Sequence, residues 1–245
     1  MHHWPRFFYL SVLCFLSVSS IDLPEYLHIC HRNQPDLAGC IKQSVEDLRP
    51  NLIQGIPELG VPPIEPLIIE EPISTKGSGL TVTTKDLKAH GGGNFTILSM
   101  AIDIPSYIYK FTIAFDHLKI LGNYVVDGKI LMIPIKGDGD MICDVYNVEA
   151  FVTMHGEQIT KDGVNQLHFK AMDVDVNVAN GKIVLSNLFG GEKLLGDTIN
   201  AAINLNFQYF LKELKPIISE SLSLFILRSA NKICDGLPYD EILPN

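Results

Sequence analysis

The sequence is poor in charge and in cysteine. Only 19% of its 245 residues are Asp, Glu, Lys or Arg, below the roughly 25% usual for soluble chains. Its 5 cysteines are too few for a disulfide-dense miniprotein. No Lys/Arg run interrupts a balance of 19 basic against 28 acidic residues, a net charge of −9, so the whole-protein field repels phosphate backbones and no nucleic acid partner is expected. A Gly-X-Y period is missing, which excludes collagen-like order, and 47% apolar residues exclude a disordered chain. The length suits one domain, or at most two.

Catalytic signatures are missing as well. His90-Gly91-Gly92-Gly93 has the look of an oxyanion loop, but no serine sits in the Gly-x-Ser-x-Gly elbow that such a loop serves, so the glycines suit a strand terminus or bulge. Asp173-Val174-Asp175-Val176-Asn177 opens like a calcium loop, yet Val178 stands where the turn demands Gly and no Glu follows at position 12. That run fits the polar face of a strand. The histidines at 28, 31, 90, 117, 155 and 168 form no HExxH and no Cys-x-x-Cys spacing, and Gly77-Ser78-Gly79 lacks the third glycine of a dinucleotide fingerprint. We therefore expect no catalytic residue, no cofactor and no metal site. His28 and His31 flank Cys30, but bridging that cysteine removes the thiolate a metal would need.

What is present begins at the amino terminus. His2, His3 and Arg6 precede an apolar stretch from Phe7 to Val18 that ends in small residues through Ser20, the layout of a secretory signal peptide. Residues 1–20 are expected to be removed, leaving a single domain over 21–245 in the extracellular space. The stretch is too short for the ~20 residues of a spanning helix, and no other run of 18 apolar residues follows, so no stable membrane insertion is expected. In an oxidising compartment Cys30, Cys40, Cys143 and Cys234 allow three pairings. Cys30 and Cys40 enclose a short loop with Pro35 and Gly39, so their local closure is the easiest bridge, stabilising by about 2–3 kcal/mol. Cys143 and Cys234 sit in apolar patterns, and two readings stay open: buried thiols or a second bridge. Asn94-Phe95-Thr96 is a glycosylation sequon, meaningful if the chain is secreted.

Along the chain, Leu37, Ile41, Val45 and Leu48 predict a short first helix that Pro50 should stop. Prolines at 57, 62, 63, 66 and 72 predict an extended edge segment or linker. From Gly79 to Leu188 short β-branched and aromatic runs alternate, as in Leu118, Ile120, Gly122, Tyr124 and Val126, with turn signals at Asp127-Gly128, Gly137-Asp138-Gly139, Asp162-Gly163 and Asn180-Gly181. This predicts an antiparallel meander with one dry face. From Asp197 the apolar period becomes helical through Leu237, on the order of 55–60 Å of helix, which Pro216 should kink or split. A helix that long needs a long curved sheet to cover it.

The Cys30 to Cys40 loop, the segment from Gly55-Ile56-Pro57 to Pro66-Leu67, and the helical run Asn204-Leu205-Asn206-Phe207 through Lys215-Pro216 together resemble the insect takeout and juvenile-hormone-binding-protein family. The ending Ile233-Cys234-Asp235-Gly236-Leu237-Pro238-Tyr239-Asp240 resembles that family's closing motif, with Cys234 where an aromatic is more usual. The resemblance covers essentially all of the chain after the signal segment. It implies an α+β, elongated super-roll of the TULIP type, in which a strongly curved antiparallel sheet wraps a long C-terminal helix beside a short N-terminal one. It also implies that Cys30 and Cys40 form the family's shared bridge, and that a small hydrophobic ligand, a terpenoid or a lipid, is carried in an apolar tunnel by a monomer. The expected helix-side lining is Phe207, Phe210, Leu214, Ile218, Leu222 and Phe225, with Tyr107, Tyr124 and Tyr209 as unranked polar candidates. The alternative is a secreted interaction or regulatory protein of the same fold with no transport role.

Overall fold

The structure, a computed structural model, describes residue 23 and residues 26–77, 79–130 and 132–245. The expected signal segment lies outside the described residues. Helix α1 (Leu37–Gln54) is followed by strands β1 (Leu67–Ile69), β2 (Ile73–Gly77), β3 (Leu80–His90), β4 (Thr96–Asp103), β5 (Ile108–Ile130), β6 (Ile133–Lys161) and β7 (Val164–Leu185), then by α2 (Lys193–Leu205), α3 (Phe207–Cys234) and the short α4 (Tyr239–Ile242). The strands form one antiparallel sheet in the order β1-β3-β5-β6-β7, with β2 also on β3 and β4 also on β5. β6 has 29 residues, about 95 Å if straight at ~3.3 Å per residue, whereas the 28 residues of α3 cover about 42 Å at 1.5 Å each. Strands this long must coil around the helix, and the expected α+β super-roll is the observed fold.

Three of the four turn signals lie inside strands. Asp127-Gly128 falls in β5, Gly137 to Gly139 in β6 and Asn180-Gly181 in β7. Only Asp162-Gly163 turns a hairpin, with φ of 51° and 82°, the doubly positive pair of a two-residue turn. Gly181 is small for a different reason. A Cβ there would lie 2.3 Å from Cζ of Phe207, so the glycine lets the helix lie flat on β7.

The in-out alternation of the sheet slips by one residue along a seam. Consecutive exposed residues occur at Asp116-His117, Tyr146-Asn147 and Ala179-Asn180, and the register pairs His117 with Tyr146 and Tyr146 with Asn180. A slip in one strand alone would turn its apolar face to water. Because β5, β6 and β7 slip together, the dry face stays dry on both sides.

The helices depart from the sequence expectation in two places. α1 runs through Pro50 to Gln54, since a proline removes a single N–H from the ladder and the last turn is held from outside: Leu52 O accepts the N–H groups of Gly55 and Ile64 at 3.3 and 3.1 Å. The C-terminal helix breaks at Asn206 (φ −117°, ψ 32°), ten residues before Pro216, which sits inside α3. At the break Asn206 turns both its backbone N–H and its side-chain amide onto Ala202 O, at 3.2 and 2.9 Å, the local bonding that makes asparagine a helix interrupter.

The amino-terminal elements act as a clamp. Asp36 caps α1 by accepting from Gly39 N–H at 2.8 Å, and Cys30 and Cys40 are bridged. Arg49 donates to the carbonyls of Gly93 and Phe95 at 2.9 and 2.7 Å and stacks 3.8 Å over the Phe95 ring. Arg32 reaches the other end of the chain. Its N–H donates to Pro244 O at 2.7 Å, its guanidinium pairs with Asp240 and it lies 4.7 Å over the Tyr239 ring.

Candidate functional site

The dry faces of β5, β6 and β7 form a trough that α2 and α3 cover, and apolar burial in it is discontinuous. At one end Tyr124, Val126, Ile135, Ile183 and Leu185 pack on Ile199, Ile203 and Phe210. Near the seam Val145 and Val148 pack on Phe207. At the far end Val152, Met154, Phe169, Met172 and Val174 meet Tyr239, with Leu222, Ile226 and Leu227 half-buried against them.

The six expected lining residues are distributed unevenly over these clusters. Phe207 and Phe210 are buried, and they are the only buried residues of α3. Leu214 and Leu222 are half-buried against the first and far clusters. Ile218 and Phe225 are half-buried and belong to none of the three. In a plain core the middle of the longest helix is its most buried part. Here full burial is confined to the first turn, and the following turns face the sheet with apolar surface left unfinished.

Of the tyrosines, Tyr124 donates to Ser186 O at 2.6 Å, Tyr107 packs on Tyr239 with ring centroids 6.0 Å apart, and Tyr209 is 65% exposed, so it faces away from the trough. The polar groups that matter most escaped the sequence reading. The hydroxyls of Tyr109 and Tyr239 are buried next to each other in the far cluster, and neither makes a well-formed hydrogen bond among the described residues. Burial first, then the neighbouring Tyr239 hydroxyl, pushes the Tyr109 phenol above its ordinary range, so it stays a neutral O–H donor.

A second missed set is a ladder of helix amides on the open edge of β7. Asn200 and Asn204 each accept from and donate to one β7 residue: Leu185 N–H and C=O at 2.9 and 2.9 Å, and Ile183 N–H and C=O at 2.8 and 2.7 Å. Gln208 donates to the carbonyls of Val178 and Ala179 at 3.0 and 2.7 Å. Asn231 exchanges two bonds with Phe169 at 2.8 Å each. Spacing of four residues brings 200 and 204 to one face of α2, and 208 keeps the spacing across the break at Asn206, which is the signal that could have revealed the set.

Two spaces adjoin α3. A cavity of about 20 Å³ lies between Ile133, Ile135, Ile199, Ile203 and Phe210, room for little more than a water and too apolar to hold one. An open groove of about 520 Å³ lies where α3 passes the middle of β7.

Cys143 and Cys234 are free and belong to different clusters, which resolves the pairing in favour of two thiols. Burial, aided at Cys143 by Asp144, pushes both up to about 11. Only the thiolate reacts, so at pH 8 iodoacetamide should label both about a hundredfold more slowly in the native protein than in urea, read by mass spectrometry. Labelling at equal rates would show that the thiols are not buried. His28 lies within 4.8 Å of Cys30 and Cys40, but the two sulfurs are bonded to each other, so no thiolate is offered to a metal. Asn94 is exposed in the short turn after β3. Among the described residues no helix is long and apolar enough to cross a membrane.

Comparison with known proteins agrees with this architecture. The family model described as haemolymph juvenile hormone binding protein (JHBP) matches residues 9–244. The circadian clock-controlled protein daywake of Drosophila melanogaster is 25% identical over 198 residues, 76% of each chain. A putative beta-carotene-binding protein of Schistocerca gregaria is 22% identical over 214 residues, 86% of each. The crystal structure of Epiphyas postvittana Takeout 1 superposes with a TM-score of 0.77 at 24% identity, covering 89% of this chain and 100% of that one, a likeness of fold.

Proposed function

The chain belongs to the haemolymph juvenile hormone binding protein family, and from that premise we propose that it is a carrier of a small hydrophobic ligand held between α3 and the sheet. The observation that carries this is the incomplete burial of α3 beyond its first turn, where Ile218 and Phe225 are half-buried and packed in none of the three clusters. An elongated apolar molecule completes that burial. At about 25 cal/mol per Å², covering roughly 300 Å² of ligand gains about 7 kcal/mol before association costs.

The far end supplies the polar contact. The Tyr109 and Tyr239 hydroxyls are buried side by side, so one can donate to the other and one O–H is left without an acceptor, at a cost of about 1–3 kcal/mol that a ligand carbonyl, ether or hydroxyl oxygen relieves. The ligand is therefore a long apolar body with an oxygen acceptor near one end, which suits a terpenoid or a lipid. The putative beta-carotene-binding relative supports a ligand of this length and dryness. The reading takes residues 1–20 as a signal peptide, 21–245 as a single secreted monomeric domain and Asn94 as its glycan site, and assigns no catalytic residue.

The test is extraction of the full chain after secretion from insect cells, followed by mass spectrometry. The expected result is a stoichiometric terpenoid or lipid together with a mature chain beginning near residue 21. Ligand-free protein that also fails to take up retinol or fatty acids would overturn the carrier reading.

A further inference from the structure

β7 ends the strand order, so one of its backbone edges has no strand partner. Helix amides take the partner's place at Leu185 and Ile183, at Val178 and Ala179, and again at Phe169. Between Ala171 and Asn177 no helix side chain bonds to the β7 backbone among the described residues. The helix–strand link there is Lys215, whose ammonium meets the side chains of Asp175 at 2.7 Å and Asn177 at 2.9 Å.

The open groove of about 520 Å³ occupies this gap. It is bordered both by Met172 and Val174, which are buried in the interior cluster, and by Asp173 and Asp175, which are exposed. Successive strand residues point to opposite faces, and the groove also touches Phe151 and Thr153, which pair with Asp175 and Asp173 on the outer face, so it runs from the outer surface onto the free edge of β7 beside the buried Met172 and Val174. The helix side of the groove presents Ser219 and Ser223, small where the next turn carries Leu222 and Ile226 against the sheet. The Ser219 hydroxyl is buried there without a partner. One turn earlier Pro216 removes an N–H from the helix ladder, and Ile218 and Phe225, half-buried apolar residues outside every cluster, flank the same stretch.

We propose that this gap between α3 and β7 is a lateral portal through which the ligand enters and leaves the trough, an inference that rests on the carrier reading. Opening it moves α3 off β7 over about two turns without breaking a helix–strand backbone bond. The amides at Gln208 and Asn231 hold the register on either side. Lys215 is the clasp, a solvent-screened pair that opens readily. Asp173, Asp175 and Glu220 on the rim repel a carboxylate and admit a neutral ligand, so the portal selects a terpenoid ester, alcohol or ketone over a free fatty acid.

Stopped-flow fluorescence of retinol, a neutral apolar probe, mixed with the full chain tests this. A kinetic gate changes association and dissociation together. Ser223→Phe should slow both at least tenfold with Kd within twofold of wild type, Lys215→Ala should speed both several-fold, and anionic cis-parinaric acid should enter more slowly than retinol. Unchanged rates in both variants, or a changed Kd at an unchanged association rate, would overturn the portal. Should Ser223→Phe lose its circular dichroism signature, Lys215→Ala, at a half-exposed position, decides alone. Wild-type protein that binds neither probe refutes the carrier reading itself, a distinct outcome from binding with insensitive kinetics.

Discussion

Replacing Asn204 with leucine should lower the unfolding free energy by about 2–4 kcal/mol. The side-chain amide accepts from Ile183 N–H at 2.8 Å and donates to Ile183 C=O at 2.7 Å and Asn200 C=O at 2.8 Å. Leucine has nearly the same volume, so packing changes little, while the N–H and C=O of a strand residue that is itself buried lose their partners under the helix. For a chain of this length a loss of that size moves Tm by roughly 5–15 °C. Urea melts followed by circular dichroism measure it. A variant as stable as wild type would mean that the helix amides are incidental to the edge of β7. Asn231→Leu should behave similarly at the far end, where Phe169 holds the same two-way pair.

The second large effect separates lining from core. Ile218→Asp or Phe225→Asp places a carboxylate in the trough at positions that belong to no packed cluster. A buried unpaired charge against an apolar ligand costs at least about 3 kcal/mol, which weakens binding by more than a hundredfold. In the empty protein the same carboxylate remains half-exposed, so the unfolding midpoint should move little. Phe210→Asp is the contrast. That side chain is 6% exposed within the first cluster, and its replacement should unfold the protein. Equal loss of stability at all three positions would mean that α3 is core throughout and that the ligand lies elsewhere.

The parts of this molecule that follow a period were legible from the residues. Leu118 through Val126 alternate as a strand must, and Phe207, Phe210 and Leu214 recur as a helix must, so the meander and the covering helix could be anticipated. Glycine was harder to interpret. Asp-Gly and Asn-Gly announce a missing Cβ, but not whether the backbone turns there or another chain segment approaches. At Gly163 it turns, and at Gly181 the Phe207 ring approaches. The helix break fell at Asn206, where the side-chain amide bonds the carbonyl of Ala202, while α3 runs through Pro216 despite the lost N–H and the crowding of the preceding turn. Burial along α3 was illegible for a geometric reason. Ile218 and Phe210 are equally apolar, and what distinguishes them is how closely the sheet approaches, which depends on strands tens of residues away. Tyr109 and Tyr239 were hidden for the same reason, since sequence does not reveal that two phenols 130 residues apart are buried side by side.

The amide ladder has a consequence for the protein at high concentration. An unpaired strand edge is a template on which another chain can add a strand, the first step toward fibrils. Asn200, Asn204, Gln208 and Asn231 occupy part of that template from within the same chain. The stretch left open between Phe169 and Val178 carries Asp173 and Asp175, charges that would stack against their own copies in any growing fibril. The gap beside the groove is thus also a stretch of edge poorly suited to seed aggregation.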